Sequence, residues 1–480
     1  MRLNAKLLQR RFSAQDQRDF ARLSGDANPM HVDAIEARRT LMGAPVVHGV
    51  HLVLAALEAI CGRRGLDARP MAASARFPRP VLVGERVEFS IANSDAQRAH
   101  IEGCVGCDLV LELNVTFGAS DPDQAAVPLL APVPLHESGF DELQHAAGSL
   151  PVGIDAALAR TLFPCAAANL GLPSLAEVLA LTRLVGMRCP GRHSVFGKFE
   201  VSFDRSAQPG NLEFRVERAD ARFSRLEMVV VGARLRGRVR AFLRPPPQRQ
   251  AAIADVAARI GRDEFAASMA LVVGGSRGLG ETTAKILAAG GGQVTITYHR
   301  GEADAARVAG EIRAWGGRCE SVHLDALRPT RTIARIFSGP VHPRTIYYFA
   351  TPRIFAQRRG FFSRALFQTF IDYYVIGFSA LVDAAVEQSA QKLTVFCPSS
   401  AALDESVREL TEYCLAKRAG EDLCGFYNRT SEKVMIVSER LPRTKTDQTS
   451  TLVDIPAADS LDVMLPIVRH LEGGRMLPEP

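Results

Sequence analysis

"HGVHLVLAALEAICG", His48 to Gly62, decides the fold of the amino-terminal part of this chain. Its apolar residues fall on nearly every face of a helix rather than on one stripe, so the helix has to be wrapped on all sides. Strand-like stretches follow it: "ERVEFSIA" (Glu85 to Ala92) and "DLVLELNVTF" (Asp108 to Phe117). A second mostly apolar helix, "SLAEVLALTRLVGM" (Ser174 to Met187), is followed by "SVFGKFEVSF", "LEFRVERA" and "RLEMVVVGARL". The expectation is two copies of one small α+β unit, each a buried helix wrapped by a long antiparallel sheet.

The third part of the chain has another rhythm. "MALVVGG" reads as a buried strand and a glycine turn, and "GETTAKILAAGG" as the helix that follows. Strand "QVTITYH", helix "ADAARVAGEIRAWGG" and strands "CESVHLD" and "RTIYYFA" continue the alternation. Such a pattern implies a parallel, doubly wound α/β sheet. Two proline-rich segments, Ala119 to Gly139 and Arg244 to Gln250, divide the chain into blocks at 1–120, 150–245 and 250–480.

With 480 residues the chain is too long for one ordinary core, which agrees with a multidomain protein. The net charge of +6 is small for this length, and no run of Lys or Arg marks a nucleic-acid face. No apolar run reads as membrane-spanning, and "MRLNAKLLQRRF" lacks the apolar centre of a secretory signal. The nine cysteines are scattered, and Cys104 with Cys107 has no second pair to complete a metal site. Free thiols in the cytoplasm, and no metal, are expected.

The chemistry of the first block lies in "LSGDANPMH", Leu23 to His31. Asp26 and His31 do not share a helical face well, and Pro29 makes a continuous helix untenable there. A bent loop can aim both side chains at one water molecule, one group taking a proton while the other supplies or holds one. Asn28 is placed to orient the carboxylate or to touch substrate. Taken alone, the residues also fit a bland alternative in which Asp26 caps the next helix and His31 packs. "APVVHGVH", Ala44 to His51, puts Gly49 at the start of the buried helix, where free N–H groups would stabilise an oxygen gaining negative charge.

Together, "FARLSGDANPMHVDAIEAR" and "GAPVVHG" resemble the MaoC-like, (R)-specific enoyl-thioester hydratase family, whose fold is the hotdog, over about the first 120 residues. The resemblance implies that Asp26 and His31 are the catalytic pair and that the Gly49 N–H serves the thioester oxygen. The second block has no equivalent pair, so it is expected to be the non-catalytic half of a double hotdog. His193, after its helix, stays open as an extra acid or base or an ordinary strand-end residue.

In the third block, "VVGGSRGLG" spaces Gly274, Gly278 and Gly280 between a strand and a helix, a setting in which a pyrophosphate rests on the helix N-terminus. Tyr413 and Lys417 are four apart and share a helical face. An ammonium beside a phenol lowers its pKa and tunes it as a proton donor. Ser400 could bond the same carbonyl oxygen. The glycine loop, serine and Tyr-x-x-x-Lys resemble the short-chain dehydrogenase/reductase family across most of 268–450, with the nearest likeness to 3-ketoacyl-thioester reductases. That likeness implies that Ser400 polarises the ketone, Tyr413 delivers the proton, and Lys417 supports Tyr413 and the ribose. Ser276, Arg277 and Arg300 suit a 2′-phosphate and so NADPH; Asp325 takes the position that contacts the adenine. The sequence departs from that family at "YFAT" (Tyr348 to Thr351), Tyr374, Val273 and Pro442-Arg443, which leaves the proton relay behind the lysine open.

The combined expectation is a double hotdog followed by an α/β Rossmann domain, acting as a bifunctional 3-ketoacyl-thioester reductase and (R)-3-hydroxyacyl-thioester dehydratase. Its substrate would be an acyl-CoA or acyl-carrier-protein thioester and its assembly a homo-oligomer, with no nucleic acid or membrane involved. A hydratase with a degenerate reductase domain, and a non-catalytic acyl-thioester scaffold, are the alternatives.

Overall fold

A computed structural model describes residues 5–65, 69–119, 125–203, 210–339, 342–355, 362–405, 408–452 and 455–473. The chain forms two compact units rather than three: Met1–Pro246 with Thr451–Asp454, and Pro247–Ser450 with Ile455–Pro480. The first two sequence blocks merge because they share one sheet.

That sheet has ten strands: β1 (Ala5–Arg11), β2 (Arg69–Arg76), β3 (Arg86–Ser94), β4 (Arg98–Val105), β5 (Asp108–Gly118), β6 (Ala147–Leu150), β7 (Ser194–Phe203), β8 (Leu212–Asp220), β9 (Arg225–Val231) and β10 (Leu235–Leu243). Their order is β1-β3-β4-β5-β2-β7-β10-β9-β8-β6. Read from its own first strand, each half has the same order, so the two copies are joined edge to edge by β2 and β7. The junction is antiparallel, with Ala73 opposite Val201 and Ala75 opposite Phe199. "RLEMVVVGARL", read as one stretch, is two strands split by a turn at Gly232–Arg234.

The helix from which the reading began is α3 (Gly49–Arg64), after α1 (Ala14–Ser24) and α2 (Pro29–Val32). Every residue from Val50 to Leu57 is buried. Its counterpart, α4 (Leu172–Arg183), is buried from Pro173 to Arg183 and runs on as a π-helical turn, Leu184–Arg188. Both helices and the inner faces of the strands make one continuous core.

The second unit is a parallel sheet of six strands: β11 (Met269–Val273), β12 (Gln293–Tyr298), β13 (Arg318–His323), β14 (Thr345–Tyr348), β15 (Leu393–Phe396) and β16 (Val434–Val437). Their order, β13-β12-β11-β14-β15-β16, is the doubly wound one in which β11 and β14 flank the switch point. Helix α5 (Gly278–Ala289) follows β11, α6 (Arg364–Gln388) precedes β15, and α7 (Thr411–Thr430) precedes β16. At 25 residues and a mean hydropathy of 1.4, α6 is long and apolar enough to cross a membrane, which corrects the reading that no segment qualifies. Asp372 and Asp383 break the run to the eye without lowering the average enough. Its Phe370, Phe378, Leu381 and Val382 are buried in the cores of this unit.

One buried group makes the first unit's stability depend on pH. The His51 ring stacks on Phe20 at 4.5 Å and meets Phe12 edge-on. Burial holds its pKa down to about 3, against an ordinary value near 6.5. The neutral ring therefore contributes its full stabilisation above about pH 6.5 and loses it progressively as pH falls toward 3. Urea unfolding between pH 7 and 4.5 is expected to show a decline of up to about 1.4 kcal/mol per pH unit from this residue. His51→Gln should flatten that part of the profile; an unchanged slope would refute the assignment.

Candidate functional site

The acid–imidazole loop is built by an abrupt helix end. Gly25 terminates α1 in the left-handed conformation (φ 73°), turning the chain so that Asp26 points inward. Asn28, not Asp26, caps α2, its side-chain oxygen accepting the Met30 N–H, and Pro29 takes the first helical position. His31 sits within α2 and donates Nδ1–H to the Val46 carbonyl at 2.8 Å, which leaves Nε2 with its lone pair.

Asp26 is 1% exposed. Burial pushes its carboxyl pKa up, opposed by the nearby His31, the Thr182 hydroxyl, the Asn28 N–H and Arg183. Burial holds His31 down and Asp26 opposes it, so the ring is neutral near pH 7. The His48 ring stacks on His31 at 3.7 Å, and one donor atom from each of Asp26, His31 and His48 lies within 4.8 Å of the others. The triplet resembles a metal donor set. Both His48 nitrogens are engaged, however, Nδ1 with Gln17 Oε1 at 2.9 Å and Nε2 with the Asp26 carbonyl at 3.0 Å. What remains is a carboxylate and a free imidazole nitrogen facing one small volume, beside the N-terminus of α3. Gly49 opens that helix, and its N–H has no intrahelical acceptor.

Asn28 departs from its expected role. Its side-chain amide donates to the carbonyls of Gly186 at 2.8 Å, Gly191 at 3.2 Å and Arg192 at 3.3 Å. Only its backbone N–H reaches Asp26. It pins the loop to the second half and has no donor left for substrate. His193 bonds Glu137 at 3.0 Å and lies outside the Asp26–His31–His48 cluster. Two residues escaped the sequence reading. His48 was visible as the residue before Gly49 but had no assigned partner. Thr182 donates its hydroxyl to Asp26 Oδ2 at 2.7 Å from 156 positions away, and nothing local announces it.

In the second unit, the glycine loop is tight. A Cβ on Gly280 would meet the Gly274 carbonyl oxygen at 2.4 Å, and Gly274 itself has φ 82°. This is a backbone cradle at the start of α5, closed to a side chain at Gly280 and offering the N–H groups of a helix N-terminus. Ser276 is buried, and Arg277 forms an ion pair with Asp447 at 3.3 Å. Arg300 is exposed, and with Asp325 it lies near the Tyr373 hydroxyl.

Ser400, Tyr413 and Lys417 come together, but not as the spacing suggested. Ser400 bonds the Tyr413 hydroxyl, yet burial pushes that phenol up to about 12. The expected lowering by Lys417 is absent because the ammonium points elsewhere. Its Nζ donates to the Pro398 carbonyl at 2.7 Å and lies 4.0 Å from the centre of the Tyr374 ring, against 6.0 Å from that of Tyr413. Tyr374 sits in a π-helical turn of α6, and its hydroxyl is 2.6 Å from Thr351 Oγ1. The Tyr348 hydroxyl is spent on the Tyr373 carbonyl.

Parts of the chain match known proteins. Residues 5–109 match the model of the MaoC like domain, and residues 268–337 that of the short chain dehydrogenase. The chain is 35% identical over 86 residues to an (R)-specific enoyl-CoA hydratase of Aeromonas caviae, covering 18% of this chain and 63% of that protein. It is 31% identical over 88 residues to a 3-hydroxybutyryl-CoA dehydratase of Methylorubrum extorquens, covering 18% and 55%. The chain thus spans less than two thirds of each relative. Among solved structures, a short chain dehydrogenase of Burkholderia cenocepacia in complex with NADP is 19% identical with a TM-score of 0.38, covering 44% of this chain and 92% of that one. FolM alternative dihydrofolate reductase 1 of Brucella suis, in complex with NADP, is 17% identical with a TM-score of 0.37, covering 43% and 88%. Two domain families thus match successive parts of this chain, the MaoC like domain first and the short chain dehydrogenase after it.

Proposed function

We propose that the chain is a bifunctional enzyme of acyl-thioester metabolism: an (R)-3-hydroxyacyl-thioester dehydratase, or hydratase in reverse, fused to a 3-ketoacyl-thioester reductase. The observation that carries the first half is the convergence of the Asp26 carboxylate and the lone pair of His31 Nε2 beside the N-terminus of α3. A water held between the two groups loses a proton to one of them as its oxygen bonds to C3 of a trans-2-enoyl thioester. The enolate so formed takes that same proton back at C2, giving the 3-hydroxyacyl thioester and returning both groups to their unprotonated state. The thioester oxygen, negative during the step, accepts the Gly49 N–H at the positive end of a buried helix. The Aeromonas relative is named for this reaction. CoA or a carrier protein as the thioester's handle would serve this site equally.

The reductase half rests on the glycine cradle and the Ser400–Tyr413–Lys417 cluster. Bound NADPH would supply a hydride; the Gly274–Gly280 backbone, Ser276, Arg277, Arg300 and Asp325 would hold it. With its pKa near 12, Tyr413 stays protonated at physiological pH and can donate to a ketone oxygen that Ser400 also bonds. Consecutive steps on a shared intermediate gain from a tether, which raises local concentration. Exposed Ile376, Leu415 and Phe426 on α6 and α7 support the expected homo-oligomer, and the free thiols a reducing, cytoplasmic setting. The contacts of Lys417 with Tyr374 favour a second reading, a hydratase whose nucleotide-binding domain reduces nothing.

Two measurements test this. Asp26→Asn and His31→Asn should each lower enoyl-thioester hydration by about two to four orders of magnitude while leaving the circular dichroism melt in place; wild-type rates in either would refute the assignment. Purified protein should oxidise NADPH, followed at 340 nm, with a short 3-ketoacyl thioester, and Tyr413→Phe should not. No oxidation by the wild type would leave the hydratase alone.

A further inference from the structure

The half that carries no acid–imidazole pair meets the Asp26 loop at four points, two of them at the carboxylate itself. Thr182, at the end of α4, donates its hydroxyl to Asp26 Oδ2 at 2.7 Å. Gly186, in the π-helical turn after α4, lies so close that a Cβ there would sit 2.2 Å from Asp26 Oδ1. Asn28, two residues past Asp26, is bonded to the carbonyls of that turn and of Gly191 and Arg192. Arg183 is fully buried beside the Asp26 loop, its Cδ and Nη1 2.9 and 3.3 Å from where a Gly25 Cβ would stand. One of its amino groups donates to the Pro151 carbonyl, while Nε and Nη1 have no hydrogen-bond partner among the described residues.

A buried guanidinium with idle N–H groups is expensive unless a counter-charge is near. The Asp26 carboxylate is near enough for each group to favour the other's charged form. We propose that Thr182 and Arg183, supplied by the second half, are positioning residues for Asp26: the hydroxyl fixes the carboxylate's orientation and the guanidinium keeps it ionised in a dry site. The other groups facing Asp26 are His31, His48 and the Asn28 N–H, all from the first half. The second half is then part of the catalytic device, and the π-helical turn exists to bring a residue without a side chain against the carboxylate. This inference takes from the hydratase reading the role of Asp26 as an acid–base group.

The test uses the full chain with Thr182→Val, which keeps the shape and removes the hydroxyl, and Thr182→Ser, which restores it. Thr182→Val should lower kcat for enoyl hydration at least about tenfold with KM changed less than about twofold. The acid limb of its pH profile should move up by about one to two units, the scale of a hydrogen bond to an ion. Thr182→Ser should return both to wild type. The carboxyl carbon of Asp26, followed by NMR and assigned with Asp26→Asn, should titrate at higher pH in Thr182→Val, and also in Arg183→Met. An unmoved carboxyl titration overturns the proposal, even where activity falls. Should the wild type hydrate no enoyl thioester, the hydratase reading fails, and the carboxyl titration still decides this inference.

Discussion

The pairing of β2 with β7 is the constraint on which the first unit depends. Either half alone would present an open strand edge, and an open edge invites pairing with another chain. Here each edge satisfies the other's N–H and C=O groups along five residue pairs, Ala72↔Ser202 to Arg76↔Lys198. The β2 sequence, "RPMAASAR", has few of the β-branched or aromatic residues that favour strands. It is a strand because a partner lies on each side, β5 and β7. The same pairing brings both buried helices into one core. It also sets the end of α4 against the Asp26 loop, so sheet continuity and the assembly of the site are one event.

That geometry explains how the site tolerates its own chemistry. A carboxylate and two imidazoles gathered in a dry pocket are unfavourable for folding, since each charged form loses its hydration. The fold offsets this with bonds from fixed groups: the Val46 carbonyl for His31, a buried glutamine for His48, a helix-borne hydroxyl for Asp26. Each bond also fixes an orientation. The stabilisation that a hydrophobic cluster would give at this place is exchanged for a carboxylate and a nitrogen lone pair that need no reorganisation when substrate arrives.

What the sequence disclosed and what it withheld follow from the range of each interaction. Helices α3 and α4 were legible because a helix apolar on all sides has one resting place, the interior. The Asp26–His31 loop was legible because proline, glycine and the acid–imidazole pair act over nine residues. Asn28 was misread because its partners, Gly186, Gly191 and Arg192, lie in the other half of the sheet. Thr182 was invisible for the same reason. Strand β2 was missed because its stability is supplied by neighbours rather than by its own residues. In the second unit, alternation of strand and helix disclosed the parallel sheet, since each buried strand needs a crossover to return.

The Tyr413–Lys417 pair shows where spacing stops being informative. Four residues apart on a helix guarantees a shared face, and the two side chains do share one. The direction of an ammonium at the end of a flexible stem is decided by what else lies on that face. Here a carbonyl oxygen and an aromatic ring take it, both from outside α7. An aromatic face attracts a cation but carries no lone pair that could pass a proton onward. The hydroxyl of that ring is engaged with Thr351 Oγ1, 2.6 Å away. Binding and chemistry are thus separable in this unit. The glycine cradle needs only backbone geometry, which is intact, whereas the contact between Lys417 and Tyr413 is a matter of side-chain direction, and that direction favours the Tyr374 ring.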